Sequence, residues 1–331
     1  MIDESNLSLD AWLGLIRNKS GESAGVVDYQ FPTDDLRDQY ISTIHCRTEQ
    51  DVKWLLKRFL VPSGMLGVDS RNIRWLLETR RTNQTLFRQL IEREYWRRLL
   101  KSYLLKGKVQ PWEGISWILD LLPHWPRYAL EAISAFTLAH AQELPDGRVE
   151  GLEDALVVIR GKYIGTPATE AERLQALLEL SSRSFECVVE RLYSAMGYRT
   201  TLTPKQKDGG FDISGSFDMP GRREQIKVEC KRYTASVGVE IVRALLGVVT
   251  SSRVSRGVLV TTGRFTKPAK AFAEQNPRIE LISSSQLINL MSEYFGSLWP
   301  AKLDQIAIEG ERQKSPDSAS GDNMISQYDA E

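Results

Sequence analysis

The run Gln225-Ile-Lys-Val-Glu-Cys-Lys-Arg232 constrains this chain most. Its β-branched and alternating residues fit an extended strand better than a helix. Side chains in a strand alternate faces, so Glu229 and Lys231 project together and Cys230 projects the other way. Upstream, Asp208-Gly-Gly-Phe-Asp212 leads into a second strand-like stretch, and Pro220-Gly221 between the two predicts a hairpin. A second acid therefore enters the strand next to the one that carries Glu229 and Lys231. Two carboxylates can hold Mg²⁺, which takes few protein ligands and keeps sites for water and phosphate. A lysine beside them can orient an attacking water or stabilise developing negative charge. Residues of this kind, so placed, suit metal-dependent phosphodiester hydrolysis.

The segments around the hairpin extend the pattern. A helix is predicted from about 169 to 196, apolar at Leu174, Leu177, Leu178, Phe185, Val189, Leu192 and Met196, with Gly197 ending it. Strands are predicted near 198–203, 211–217, 224–232, 257–261 and 279–282. Helices are predicted near 238–250, from Thr266 and near 284–295. This order predicts a mixed sheet with helices on both faces.

The first half reads differently. Thr48-Glu-Gln-Asp51 resembles a helix start, followed by Val52, Leu55, Leu56, Phe59 and Leu60 at helical spacing. Residues 84–105 repeat the helical pattern with Leu86, Leu90, Ile91, Tyr95, Leu99 and Leu100. The expected fold is thus a two-domain α+β/α/β chain. It comprises an all-helical recognition or regulatory domain over 1–165, a mixed-sheet α/β domain over 166–300, and a flexible tail over 301–331. That tail is expected from its Ser, Asp, Gln and Gly content.

Composition excludes several classes. A net charge of zero gives no bulk positive field, so any DNA-binding face must be a local patch. Three cysteines without paired spacing give neither a disulfide framework nor a zinc site and fit a reducing compartment. The acidic start lacks the apolar core of a signal peptide, and no apolar run is long enough to span a membrane. The expected setting is cytoplasmic. His45, His124 and His140 lie near no acidic or cysteine cluster, and no Gly-x4-Gly-Lys-Ser/Thr loop occurs.

Between Arg80 and Lys108 nine Lys/Arg face two Glu, with Tyr95, Trp96 and Tyr103 interleaved. Such a stretch is first an amphipathic helix with a solvated basic face. Its alternative use is phosphate contact or docking on an acidic partner, for which Arg88, Arg97, Arg98 and Lys101 are the candidates.

Five pieces in order make residues 185–290 resemble the Mrr-type branch of the PD-(D/E)xK nucleases. They are Phe185-Glu186, Met196-Gly197-Tyr198, Asp208-Gly-Gly-Phe-Asp212, Glu229-Cys-Lys231-Arg-Tyr233 and Thr261-Thr-Gly263-Arg-Phe-Thr266. By itself Glu-x-Lys is usually a solvated surface pair; the ordered set is what carries the resemblance. It implies a restriction-endonuclease-like fold and a Mg²⁺-dependent (or Mn²⁺-dependent) DNA endonuclease of restriction or antiphage type. Under it Asp212 and Glu229 are metal ligands, Lys231 is the catalytic lysine and Glu186 an auxiliary helix acid. Glu229 stands where this branch often has glutamine. Asp212, directly before Ile213, is preferred over Asp208, which can cap the Gly-Gly turn. DNA is the expected partner. A protein partner for the N-terminal domain and a homo-oligomer are further expectations, and a membrane is not. The rival reading is a non-cleaving DNA-binding or partner-docking module on the same fold.

Overall fold

The computed structural model describes residues 7–18, 27–204 and 210–312. They form two compact units, divided between Gly165 and Thr166.

The first unit is helical: α1 Leu9–Arg17, α2 Asp34–Ser42, α3 Glu49–Phe59, α4 Asp69–Thr82, α5 Gln84–Glu92, α6 Glu94–Leu104, α7 Pro126–His140 and α8 Asp146–Ile159. α3 begins as its sequence predicts, with the Thr48 side chain accepting from Asp51 N. The pattern expected as one helix over 84–105 is two. Arg93 adopts an extended backbone, and the break lets α6 bury Tyr95 and Leu99. The Tyr95 hydroxyl donates to Asp69 Oδ1 at 2.7 Å, and Trp112 Nε1 donates to the same oxygen at 3.2 Å. Trp12, Phe31, Tyr40 and Phe59 form an aromatic core with ring centroids 5.0–6.5 Å apart. Trp12 and Trp112 are therefore packing groups, whereas Trp75, Trp117 and Trp125 are exposed.

The second unit holds α9 Glu170–Glu179, α10 Ser182–Ala195, β1 Arg199–Leu202, β2 Ile213–Met219, β3 Arg222–Lys231, α11 Val239–Ser251, β4 Arg256–Thr261, α12 Lys267–Glu274, β5 Ile279–Ile282, α13 Ser284–Phe295 and α14 Leu303–Arg312. The sheet runs β1-β2-β3-β4-β5, antiparallel across β1, β2 and β3 and parallel across β3, β4 and β5. This is the mixed sheet the sequence predicts. Pro220 and Gly221 close the hairpin, with Met219 opposite Arg222 and Gly221 at φ 83°, as a type II turn needs. Ile226 and Val228 face a core built with α9, α10, α13 and α14, while Leu259 and Ile279 belong to a second core with α11 and α12. Both faces of the sheet are therefore covered.

Two expectations change. The helix predicted over 169–196 is broken at Leu180 and Ser181, where Ser181 caps α10 by accepting from Ser184 N. The tail expected from 301 begins too early. α14 buries Leu303, Ile306 and Ala307 in the core that α10 shares, because its apolar positions keep helical spacing before the polar composition sets in. Residues 313–331 and Asp208 lie outside the described residues.

Candidate active site

β2 and β3 bring the strand-entry acid to the Glu-x-Lys pair. Asp212 directly precedes β2 and is fixed on three sides. Its N donates to Val228 O at 2.8 Å, its carbonyl accepts from Thr203 N at 2.7 Å, and its Oδ2 accepts from Cys230 N at 2.7 Å. Ile213 pairs with Val228, so Asp212 lies opposite Glu229 across the hairpin. Gly210 approaches α11 closely: a Cβ there would stand 2.8 Å from Val248 Cγ2, and its φ is 69°. The glycine thus lets the chain turn tightly into Asp212.

Glu229 and Lys231 share a face, as the alternation predicts, and form an ion pair with Nζ–Oε1 of 2.9 Å. Their side chains are 12% and 27% exposed, so the pair is not the freely solvated surface contact that an isolated Glu-x-Lys suggests. Burial pushes the Glu229 carboxyl up, with the Asp212 charge adding to it, while Lys231 pulls it down. Burial pulls the Lys231 ammonium down, but the hydrogen bond and charge of Glu229 outweigh it and the net direction is upward. Lys231 therefore stays cationic. Cys230 packs on the opposite face against the α10 side of the core, and burial raises its thiol, as expected of a packing residue.

Glu186 lies on α10, where Arg183 Nη1 holds its Oε2 at 2.5 Å. Its charge acts on Cys230, as do those of Asp212 and Glu229. Yet among the described residues no group of three or more His, Cys, Asp or Glu side chains stands together to hold a metal. The charge of Asp212 acts on Glu229, while Glu186 is held by Arg183. Two carboxylates still fit Mg²⁺, which commonly takes one or two from protein and fills its shell with water and substrate oxygens.

Lys227 shares the strand face of Glu229 and Lys231, as the same alternation requires, although the sequence motif does not include it. Its Nζ donates to Ser214 Oγ at 2.6 Å and stands 3.7 Å from the Phe211 ring centroid. It braces the approach to Asp212.

In the first unit Arg88, Arg97 and Lys101 are exposed. Arg98 departs from expectation. It donates to Pro111 O and Gln110 O and pairs with Glu113, which makes it a clamp on the loop after α6 rather than a free basic group.

Residues 177–291 match the Mrr_cat family model, described as a restriction endonuclease. Over 158 residues the chain is 32% identical to the Type IV methyl-directed restriction enzyme EcoKMrr of Escherichia coli (strain K12), covering 46% of this chain and 49% of that protein. Over 133 residues it is 29% identical to the protein y4cE of Sinorhizobium fredii (strain NBRC 101917 / NGR234), covering 40% and 34%. The chain thus spans half or less of these curated relatives. Among solved structures, the DNA modification-dependent restriction endonuclease AspBHI is 21% identical at a TM-score of 0.38, covering 45% of this chain and 41% of its own. The MspJI restriction endonuclease, in complex with a 27-mer oligonucleotide, is 22% identical at a TM-score of 0.35, covering 49% and 40%. By the family model that they match, residues 177–291 carry an Mrr-type restriction endonuclease domain.

Proposed function

We propose that this chain is a metal-dependent DNA endonuclease of a bacterial restriction or antiphage system, acting in the cytoplasm. The observation that carries the reading is Asp212, locked to the β3 backbone opposite the Glu229–Lys231 ion pair. Asp212 and Glu229 would hold Mg²⁺ or Mn²⁺. Such a metal, when bound, lowers the pKa of water and offsets charge on the phosphate. Lys231, cationic beside Glu229, has no acceptor lone pair and is not a general base. It donates hydrogen bonds to the attacked phosphate or the incoming water, stabilising negative charge as it develops. Cys230 N fixes one Asp212 oxygen and so sets the direction of the carboxylate. Glu186 is a supporting acid on α10, held by Arg183.

The helical first unit is the recognition or regulatory part of this proposal, with DNA as partner. Phosphate contact falls to Arg88, Arg97 and Lys101, not Arg98. A protein partner for that unit and self-association belong to the same proposal.

One relative is named as methyl-directed, so the test uses plasmid and phage DNA with and without base methylation. The purified chain is expected to nick or linearise at least one of these in Mg²⁺. Excess EDTA is expected to stop it. Cleavage undiminished in EDTA rules out the metal mechanism, and DNA binding without cleavage under every condition favours the non-cleaving module.

A further inference from the structure

β3 ends in a pocket of about 500 Å³, walled by Gln175 and Leu178 of α9 and by Arg232, Tyr233, Thr234 and Ala235. All of it belongs to the second unit. Tyr233 is 42% exposed, which alone is ordinary for a tyrosine. Its backbone is not that of a loose loop. Tyr233 N donates to Lys231 O at 3.0 Å, and Tyr233 O accepts from Thr262 Oγ1 at 2.9 Å. The Lys231 carbonyl also accepts from Thr261 Oγ1 at 2.7 Å. Gly263 lies so close to this segment that a Cβ there would meet Ala235 O at 2.3 Å. The chain after Lys231 is thus pinned to the end of β4 while Tyr233 stays partly exposed.

The neighbouring Arg232 adds a second observation. Its Nη1 donates to Leu178 O at 2.6 Å, but its Nε is buried without a hydrogen-bond partner. Held by its bond to Leu178 O, the guanidinium puts a positive charge in the wall of the pocket. The pocket therefore joins a partly exposed tyrosine on a pinned backbone, an apolar wall at Leu178, polar groups at Gln175 and Thr234, and the positive charge of Arg232. A nucleobase has the matching chemistry: a flat π-face and an edge of acceptors.

We propose that this pocket receives the base of a nucleotide next to the Lys231 site, with Tyr233 stacked on the base and the Arg232 guanidinium supplying positive charge beside it. This rests on the nuclease reading and deepens it. A base inside a duplex offers only its edges, so the nucleotide must leave the stack to enter. Unpaired or mismatched bases leave most easily, and the site thereby favours locally opened DNA.

The test is the affinity of the full chain for short duplexes, fully paired or with one mismatch, by fluorescence anisotropy in EDTA so that no DNA is cut. Wild type is expected to prefer the mismatched duplex. Tyr233→Ala is expected to lose that preference and bind the mismatched duplex about tenfold more weakly. Tyr233→Phe and Tyr233→Trp should keep it. Cooperative thermal melting checks that the variants are folded. Unchanged affinities in Tyr233→Ala overturn the proposal. A loss in Tyr233→Phe equal to that in Tyr233→Ala also overturns it, because the hydroxyl and not the ring would then hold the ligand. Separate cleavage in Mg²⁺ tells the two readings apart. A chain that never cuts but shows the Tyr233-dependent preference keeps the base site and loses the nuclease reading. A chain that cuts without that preference does the reverse.

Discussion

Lys231 is the residue on which the proposed chemistry turns. A cation two positions along the strand from Glu229 can reach both that carboxylate and a phosphate, and Glu229 keeps it charged. Lys231→Ala is expected to lower plasmid cleavage on the order of a hundredfold or more, the loss typical of removing one preorganised charge-stabilising group. The variant should still melt cooperatively, and cleavage at the wild-type rate would remove Lys231 from the mechanism. In the first unit Asp154 is a different case. It is buried, accepts from Phe31 N at 2.7 Å and lies 3.4 Å from Arg37 Nη1. Burial outweighs these partners and pushes its carboxyl up from 3.8 to about 7. Between those values the folded chain holds a proton that the unfolded chain releases. Stability from this group is therefore fullest below about pH 4 and is lost as pH rises through about 7. Asp154→Asn, neutral at every pH, should flatten that decline in a series of melting curves. An equally steep decline in the variant would assign it to other groups.

Among the elements, helix ends decide how α9, α10 and α14 pack. Ser181 starts α10, the helix that carries Arg183 and Glu186. Ser181→Ala is expected to destabilise the chain by about 1 kcal/mol, read from chemical denaturation. α14 depends on a close approach, because a Cβ on Gly310 would meet Cys187 O at 2.7 Å. Helix backbone cannot yield there without separating α14 from α10, so Gly310→Ala should destabilise by roughly 1–3 kcal/mol. A neutral effect would mean that α14 contributes little to this core, despite the burial of Leu303 and Ile306.

For the molecule as a whole, zero net charge makes DNA affinity a matter of local patches. If Arg88, Arg97 and Lys101 touch phosphates, neutralising all three should weaken binding across sequences. The slope of log affinity against log salt should then become shallower by roughly 0.9 for each phosphate no longer neutralised. Arg98→Ala should instead lower the melting temperature, because Arg98 ties Pro111, Gln110 and Glu113 to α6. An unchanged salt slope in the triple variant would leave these side chains as a solvated face. A fall in cellular defence without any fall in DNA affinity would point to a docked protein.

The sequence by itself determined the parts with short periods. Alternation placed Glu229 and Lys231 on one face, Pro220-Gly221 fixed the hairpin, and Thr48, Thr266 and Gly197 marked helix ends, because these signals act within a few residues. What joins distant segments was not legible. Arg98 closing on the 110–113 loop and α14 docking on α10 each depend on how the chain packs, which no local pattern records, whereas the Arg183–Glu186 pair, three residues apart on one helix, is a local signal. The walls of the Tyr233 pocket likewise come from two separate stretches of the chain, at 175–178 and 232–235. Local pattern sets which face a side chain takes. Only the packed sheet and its helices set which charge, carbonyl or ring it meets there.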